Sequence, residues 1–182
     1  MKKNVLCLAL SASLLLGLAA GCGGTTGGQT DGPDEARDSV VIALSGDISS
    51  MNPFDNAVLI DRYVRTNYYE SLVYYNGSDF EPLLAESWEI SPDGLEYVFH
   101  LKDGVLFHNG AELTADDVVF SLEQAKASPS WVAETASISA IEATDDRTVK
   151  VTLSETYAPF MLSVASKVCI INKAYTEEGG ED

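Results

Sequence analysis

His100 and His108, the two histidines of this 182-residue sequence, and the adjacent carboxylates Asp116 and Asp117 are of types that could hold a metal or move a proton. A metal would need both imidazoles on one strand face, or converging across strands with carboxylates. His100 instead alternates with the apolar residues of its own segment, which predicts a half-exposed side chain. Asp116-Asp117 follows Thr114 and precedes an apolar stripe, so helix capping explains the pair more simply than acid–base work. The sequence has no His-Glu-x-x-His, paired Cys-x-x-Cys, Gly-x-Ser-x-Gly or phosphate-cradling glycine-rich helix start, and hydrolase and nucleotide-binding chemistry therefore has no support. No catalytic residue, metal ligand or cofactor is assigned.

Cysteine chemistry is confined to the chain ends. Met1-Lys2-Lys3 supplies a positive start and Val5 to Ala20 is an almost uninterrupted apolar run, the pattern of a signal peptide over residues 1–21. Its sixteen residues fall short of the ~20 that span a bilayer. The run closes on Leu18-Ala19-Ala20-Gly21-Cys22, which resembles the lipobox of bacterial lipoproteins, with Ala19 where a bulky aliphatic residue is usual. Cys22 is thereby expected to become a lipidated N-terminus, and several acyl chains anchor a protein durably where one is marginal. Cys169, between Val168 and Ile170, reads as a small buried hydrophobe in a strand.

Loss of Lys2 and Lys3 with the leader takes the formal charge from −17 to −19, and the nine remaining basic residues are scattered. Such a surface repels a phosphate backbone, which argues against nucleic acid. The 46% hydrophobic content can fill a core,. Residues 22–38, rich in Gly, Thr and Asp, offer nothing to bury and read as a flexible tether.

Folded sequence is expected from Val40-Val41-Ile42-Ala43-Leu44, a buried strand running into the loop Ser45-Gly46-Asp47-Ile48-Ser49-Ser50,. Ile60, Val64, Tyr68 and Leu72 recur at helical spacing, with Asp61, Arg62 and Arg65 beside the stripe,. Trp88 and Ile90 face Tyr97, Phe99 and Leu101 across Ser91-Pro92-Asp93-Gly94, a hairpin on a type I turn. Strands continue to Leu113 around the turns Lys102-Asp103-Gly104 and His108-Asn109-Gly110. Thr114 opens a helix with Val118, Val119, Leu122 and Ala125 on its inner stripe. A second hairpin flanks Asp145-Asp146-Arg147, Pro159 opens a short helix through Val164, Lys167 to Asn172 returns to a strand, and Lys173-Ala174-Tyr175 begins another helix.

Pro82-Leu83-Leu84-Ala85-Glu86-Ser87-Trp88, Asp93-Gly94, Phe99-His100-Leu101-Lys102, Val105-Leu106-Phe107-His108-Asn109-Gly110 and Leu113 to Ser121 follow one another in an order that resembles the signature of the family 5 extracytoplasmic solute-binding proteins. Tyr69-Glu70-Ser71-Leu72-Val73 and Asp145 to Val149 agree, while Lys102 and Asn109 stand where the family often has Arg and Asp. The resemblance implies an α/β, bilobed periplasmic-binding-protein type II-like architecture with a mixed α+β extra lobe, of which the N-terminal portion is present. Residues 39–73 would start the first lobe, 74–166 form the extra lobe and 167–182 return to the first lobe. It implies a receptor that captures peptides outside the membrane and delivers them to the permease and ATPase subunits of an ABC importer. A lipid-anchored peptide-signal receptor, a receptor for nickel or another small solute, and a secreted enzyme are the alternatives. In peptide-binding relatives the loop after the first strand approaches the ligand backbone, and Asp47 and Ile48 take that place here as candidate ligand-binding residues. An ordinary strand-to-helix turn remains the other reading of that loop.

Overall fold

The computed structural model describes residues 41–55 and 58–179. The expected leader, tether and lipidated Cys22 lie outside them, as do Val40 and residues 180–182. The chain divides into two units, Met1–Ala43 and Leu44–Asp182. Of the first, Val41 and Ile42 are 92% and 72% exposed and belong to no strand. The buried strand expected at 40–44 is therefore not formed among the described residues, because a strand exists only where a neighbour pairs its N–H and C=O groups.

The second unit is built on a four-stranded antiparallel sheet, β3 (Ala85–Ile90), β4 (Glu96–Leu101), β5 (Ile138–Asp145) and β6 (Thr148–Leu153), in the order β3-β4-β6-β5. The first hairpin has the expected register, Trp88 opposite Phe99 and Ile90 opposite Tyr97. Its turn closes with the Gly94 N–H donating to the Ser91 carbonyl (2.8 Å). Gly94 sits at φ +70°, left-handed backbone that glycine adopts without steric cost. The second hairpin pairs β5 with β6 around Asp146-Arg147. On the inner face Tyr97, Phe99, Leu101, Val149, Val151 and Leu153 are buried, the strict alternation of a sheet wet on one side.

That face is covered by a helix, labelled α2 (Ala115–Ala127) because a shorter one, α1 (Leu59–Arg65), precedes it. In α2, Val118, Leu122 and Ala125 are buried and Val119 half-buried. Thr114 and Asp117 close a capping box at its start,. A short α3 (Val132–Thr135) follows. The segment opened by Pro159 is a π-type turn, Met161–Ala165, that joins the same core; its neighbour Phe160 packs tilted against Tyr97 of the inner face, with ring centroids 4.3 Å apart. Small strands β1 (Val73–Tyr75) and β2 (Phe80–Pro82) form a separate pair, and α4 (Lys173–Glu177) ends the described chain.

Two expected strands are absent. Residues 105–113 form a loop closed by one bridge between Leu106 and Glu112, with its N–H groups used in the turns Gly110 to Phe107 and Phe107 to Ala111. Residues 167–172 bury Val168, Ile170 and Ile171, yet they do not join a sheet, and Lys167 and Val168 still donate to the Val164 carbonyl of the preceding turn. Among the described residues Ile170 donates to the Glu70 carbonyl (2.9 Å) and Ile171 to the Ser121 hydroxyl (2.9 Å). A side chain in place of a neighbouring strand takes up the second of these N–H groups.

Candidate functional site

The loop 45–50 leads to the buried side of α1, where Ser49 meets Asp61. Asp47 is exposed, Ile48 is 46% exposed, and among the described residues no backbone hydrogen bond engages either. A Cβ at Gly46 would lie 3.1 Å from the tip of the Ile60 side chain, a tight contact, so the glycine eases the approach of the loop to α1.

The helix expected to reach Leu72 stops at Arg65. The Asn67 amide donates to the Tyr63 and Val64 carbonyls (2.8 and 3.2 Å) and the Thr66 hydroxyl to Tyr63 (3.1 Å), so side chains take over the last turn's carbonyls. Its inward face is also not the apolar stripe. Ile60 and Val64 are half-buried and Tyr68 is exposed, whereas Asp61 and Arg65, one turn apart, are buried.

Burial of this pair is offset by loop backbone. The Asp61 carboxylate accepts the Ser49 N–H at 2.8 Å on one oxygen and the Ser49 hydroxyl on the other. The Arg65 guanidinium donates to the Ser50 and Pro53 carbonyls (3.1 and 3.5 Å) and lies 3.6 Å from Asp61. These bonds, the Ser49 hydroxyl first and its N–H next, hold the Asp61 carboxyl below the usual range; desolvation opposes them and the Arg65 charge adds to them,. From the other side the Trp131 indole donates to the Pro53 carbonyl (3.3 Å) and the Ser128 hydroxyl to that of Phe54. Segment 49–54 is thus held between α1 and the α2–α3 connection.

The remaining polar residues take structural places. One Asp117 oxygen accepts the Thr114 N–H and hydroxyl (2.9 and 2.8 Å); the other accepts the Lys173 N–H and the Asn172 amide (2.8 and 3.2 Å). Of the pair Asp116-Asp117, Asp117 is therefore the cap and also binds the returning segment, while Asp116 is exposed. His100 is half-exposed as expected, with Nδ1 3.4 Å from the Thr148 hydroxyl and Nε2 3.9 Å from Glu89. His108 is exposed on the 105–113 loop. Among the described residues no group of three His, Cys, Asp or Glu side chains converges as a metal site would require. Cys169 is half-buried and outside any strand, which corrects its expected setting; burial pushes its thiol up to about 11.

A half-open groove of about 790 Å³ lies between residues 66–70, 105–109 and 170–175, with Tyr69, Phe107, His108 and Tyr175 in its walls. Met51 reaches it, but Asp47 and Ile48 do not. The structure thus places the two candidate residues together on an accessible loop, outside the groove. Asp61 and Arg65, read from sequence as flanking charges, are the residues that organise that loop. Their spacing of four was the available signal.

A model of the bacterial extracellular solute-binding proteins, family 5, matches residues 79–181. A heme-binding protein A of Haemophilus influenzae is 40% identical over 119 residues, 53% of this chain and 22% of that protein. A probable D,D-dipeptide-binding periplasmic protein of Escherichia coli is 35% identical over 164 residues, 80% of this chain and 30% of that protein. Among solved structures, the periplasmic binding protein DppA of Helicobacter pylori in complex with the peptide STSA superimposes with a TM-score of 0.63 at 35% identity, over 72% of this chain and 30% of that one. A binding protein from Agrobacterium tumefaciens in complex with agropinic acid gives 0.66 at 33% identity, over 74% and 28%. The chain spans less than a third of the length of these relatives.

Proposed function

Because the chain belongs to the bacterial extracellular solute-binding proteins of family 5, we propose that it is the N-terminal portion of an importer receptor that captures peptides outside the membrane. The observation that carries this reading is the family match over residues 79–181, in register with the capped helix and paired hairpins of the described fold. Peptide is preferred among solutes because relatives of the chain include dipeptide-binding and glutathione-binding proteins and a peptide complex.

On this reading Cys22 carries the lipid that holds the protein at the membrane, residues 22–38 are the tether, and residues 39–73 and 167–182 belong to the first lobe, with 74–166 as the extra lobe. The backbone bond from Ile170 to Glu70 supports that division, since it joins the returning segment to the one before β1. The main chain at Asp47 and Ile48 approaches the peptide. Closure over the ligand lets the receptor dock on permease subunits, and ATP hydrolysis in a separate subunit drives transport, with no chemistry on the ligand.

The test is uptake of a radiolabelled tripeptide by the source bacterium after deletion of the gene, with complementation by the wild-type gene or by Cys22→Ser. Lost uptake that only the wild-type gene restores supports a lipid-anchored importer receptor. Intact uptake with a lost response to secreted peptides favours the signal-receptor reading. If deletion leaves both unchanged, the proposal fails.

A further inference from the structure

Two independent sets of contacts converge on four backbone groups that follow the candidate ligand residues, the Ser49 N–H and the carbonyls of Ser50, Pro53 and Phe54. From α1, Asp61 takes both donors of Ser49, and Arg65 takes the carbonyls of Ser50 and Pro53. From the α2–α3 connection, Trp131 and Ser128 take those of Pro53 and Phe54. An ion pair buried in this way gains little from its own attraction, because desolvation of both charges opposes it. What it does well is hold backbone groups in one geometry, since both Asp61 oxygens and the two terminal guanidinium nitrogens of Arg65 bond to loop atoms,. The backbone of Asp47 and Ile48, just upstream, has no such partners among the described residues. The anchored part of the loop therefore ends where the unpaired part begins.

We propose that Asp61 and Arg65 are positioning residues: through Ser49 and Ser50 they hold the Asp47–Ile48 main chain in the conformation that meets the ligand, and Trp131 reports that conformation through Pro53. This role rests on the peptide-receptor reading for the identity of the ligand, but the clamp itself is measurable without one. Preorganisation of this kind raises affinity by removing the ordering cost of the loop at the moment of binding.

The chain has two tryptophans, Trp88 and Trp131, so a ¹H–¹⁵N spectrum of the full chain holds one indole signal for the loop and one for the sheet, assigned with Trp88→Phe. In Asp61→Asn we expect the Trp131 indole signal to shift or broaden and the Ser49 amide to exchange at least about tenfold faster, as loss of charge-assisted bonds requires. The Trp88 signal and the amides of β4 and β6 stay in place. Ser49→Ala loosens the same amides, and Ser49→Thr, which keeps the hydroxyl, restores them. Unchanged Trp131 and Ser49 signals in Asp61→Asn overturn the proposal. If that variant unfolds and the Trp88 signal is also lost, Ser49→Ala decides, because it leaves the ion pair intact; unchanged exchange there overturns the proposal as well. Trialanine added to the wild-type chain should shift the Asp47 and Ile48 amides, and shift them less in Asp61→Asn. Absence of any shift in the wild type, with the clamp signals still responding to Asp61→Asn, removes the peptide reading and leaves the clamp standing. Equal shifts in both proteins show a clamp without a role in ligand approach, and overturn the positioning claim.

Discussion

Cys169 has a thiol raised from 9.0 to about 11, with burial as the larger cause and the Arg65 charge opposing it. Only the thiolate attacks an electrophile. In residues 23–182, where Cys169 is the only cysteine, alkylation by iodoacetamide at pH 8 should run about a hundredfold slower than for an ordinary thiol, as two pKa units imply. A rate equal to that of the urea-unfolded chain would show an accessible thiol instead. Asp61 differs in sign. Its carboxyl is lowered by the Ser49 bonds, so its contribution is whole above pH 3.8, its ordinary value, and is lost as pH falls below that through the folded value,. Neither environment was legible in the sequence. Cys169 sits in an apolar run that suggested a strand, and Asp61 sits beside an apolar stripe that suggested a wet face. Each residue's partner is distant in the chain or belongs to a loop without periodicity.

At the scale of elements, the hairpins and α2 follow from local rules. Alternation fixes the inner face of β4 and β6, and Ser91 to Gly94 closes the first turn because glycine accepts φ +70° there,. The first turn of α2 does more than its sequence announces. Asp117 accepts four hydrogen bonds, two from Thr114 and two from residues 172–173, and so joins the start of α2 to the start of α4. Asp117→Ala should lower stability by about 3 kcal/mol, the loss expected when a buried, charge-assisted acceptor is removed and its donors are orphaned. The measurement is a urea midpoint. Thr114→Ala, which removes only the hydroxyl donor, should cost about 1 kcal/mol on the same scale, and equal losses would show that the bonds to Asn172 and Lys173 contribute nothing. The failed expectations at this scale, strands at 105–113 and 167–172 and a helix to Leu72, share a cause. Leu72, Leu113, Val168, Ile170 and Ile171 are buried there without a regular element, and the hydrogen bonds of these segments are satisfied by isolated backbone groups and by Ser121 and Asn67.

At the scale of the whole molecule, the chain covers less than a third of its relatives, and Asp47 and Ile48, proposed above to approach the ligand, are exposed. A ligand site normally encloses most of the ligand surface, and micromolar binding takes about 8 kcal/mol. Calorimetry of residues 23–182 with a mixture of short peptides should therefore show binding weaker than ~100 μM, at least about a hundredfold below that benchmark. Micromolar binding by this portion would mean that a complete site lies within it, with the groove between residues 66–70, 105–109 and 170–175 as the place to look. The sequence by itself determined the family, the two hairpins and the capped helix, because turn chemistry, period-two alternation and a capping box act over a few residues and leave their pattern in the order of the chain. Only the tertiary structure decided that α1 turns its charges inward, that Gly46 serves the approach of the loop to Ile60, and that Asp117 binds the returning segment. Those outcomes depend on which backbone groups, dozens of residues away or on a facing loop, are left needing a partner when the sheet and α2 have packed.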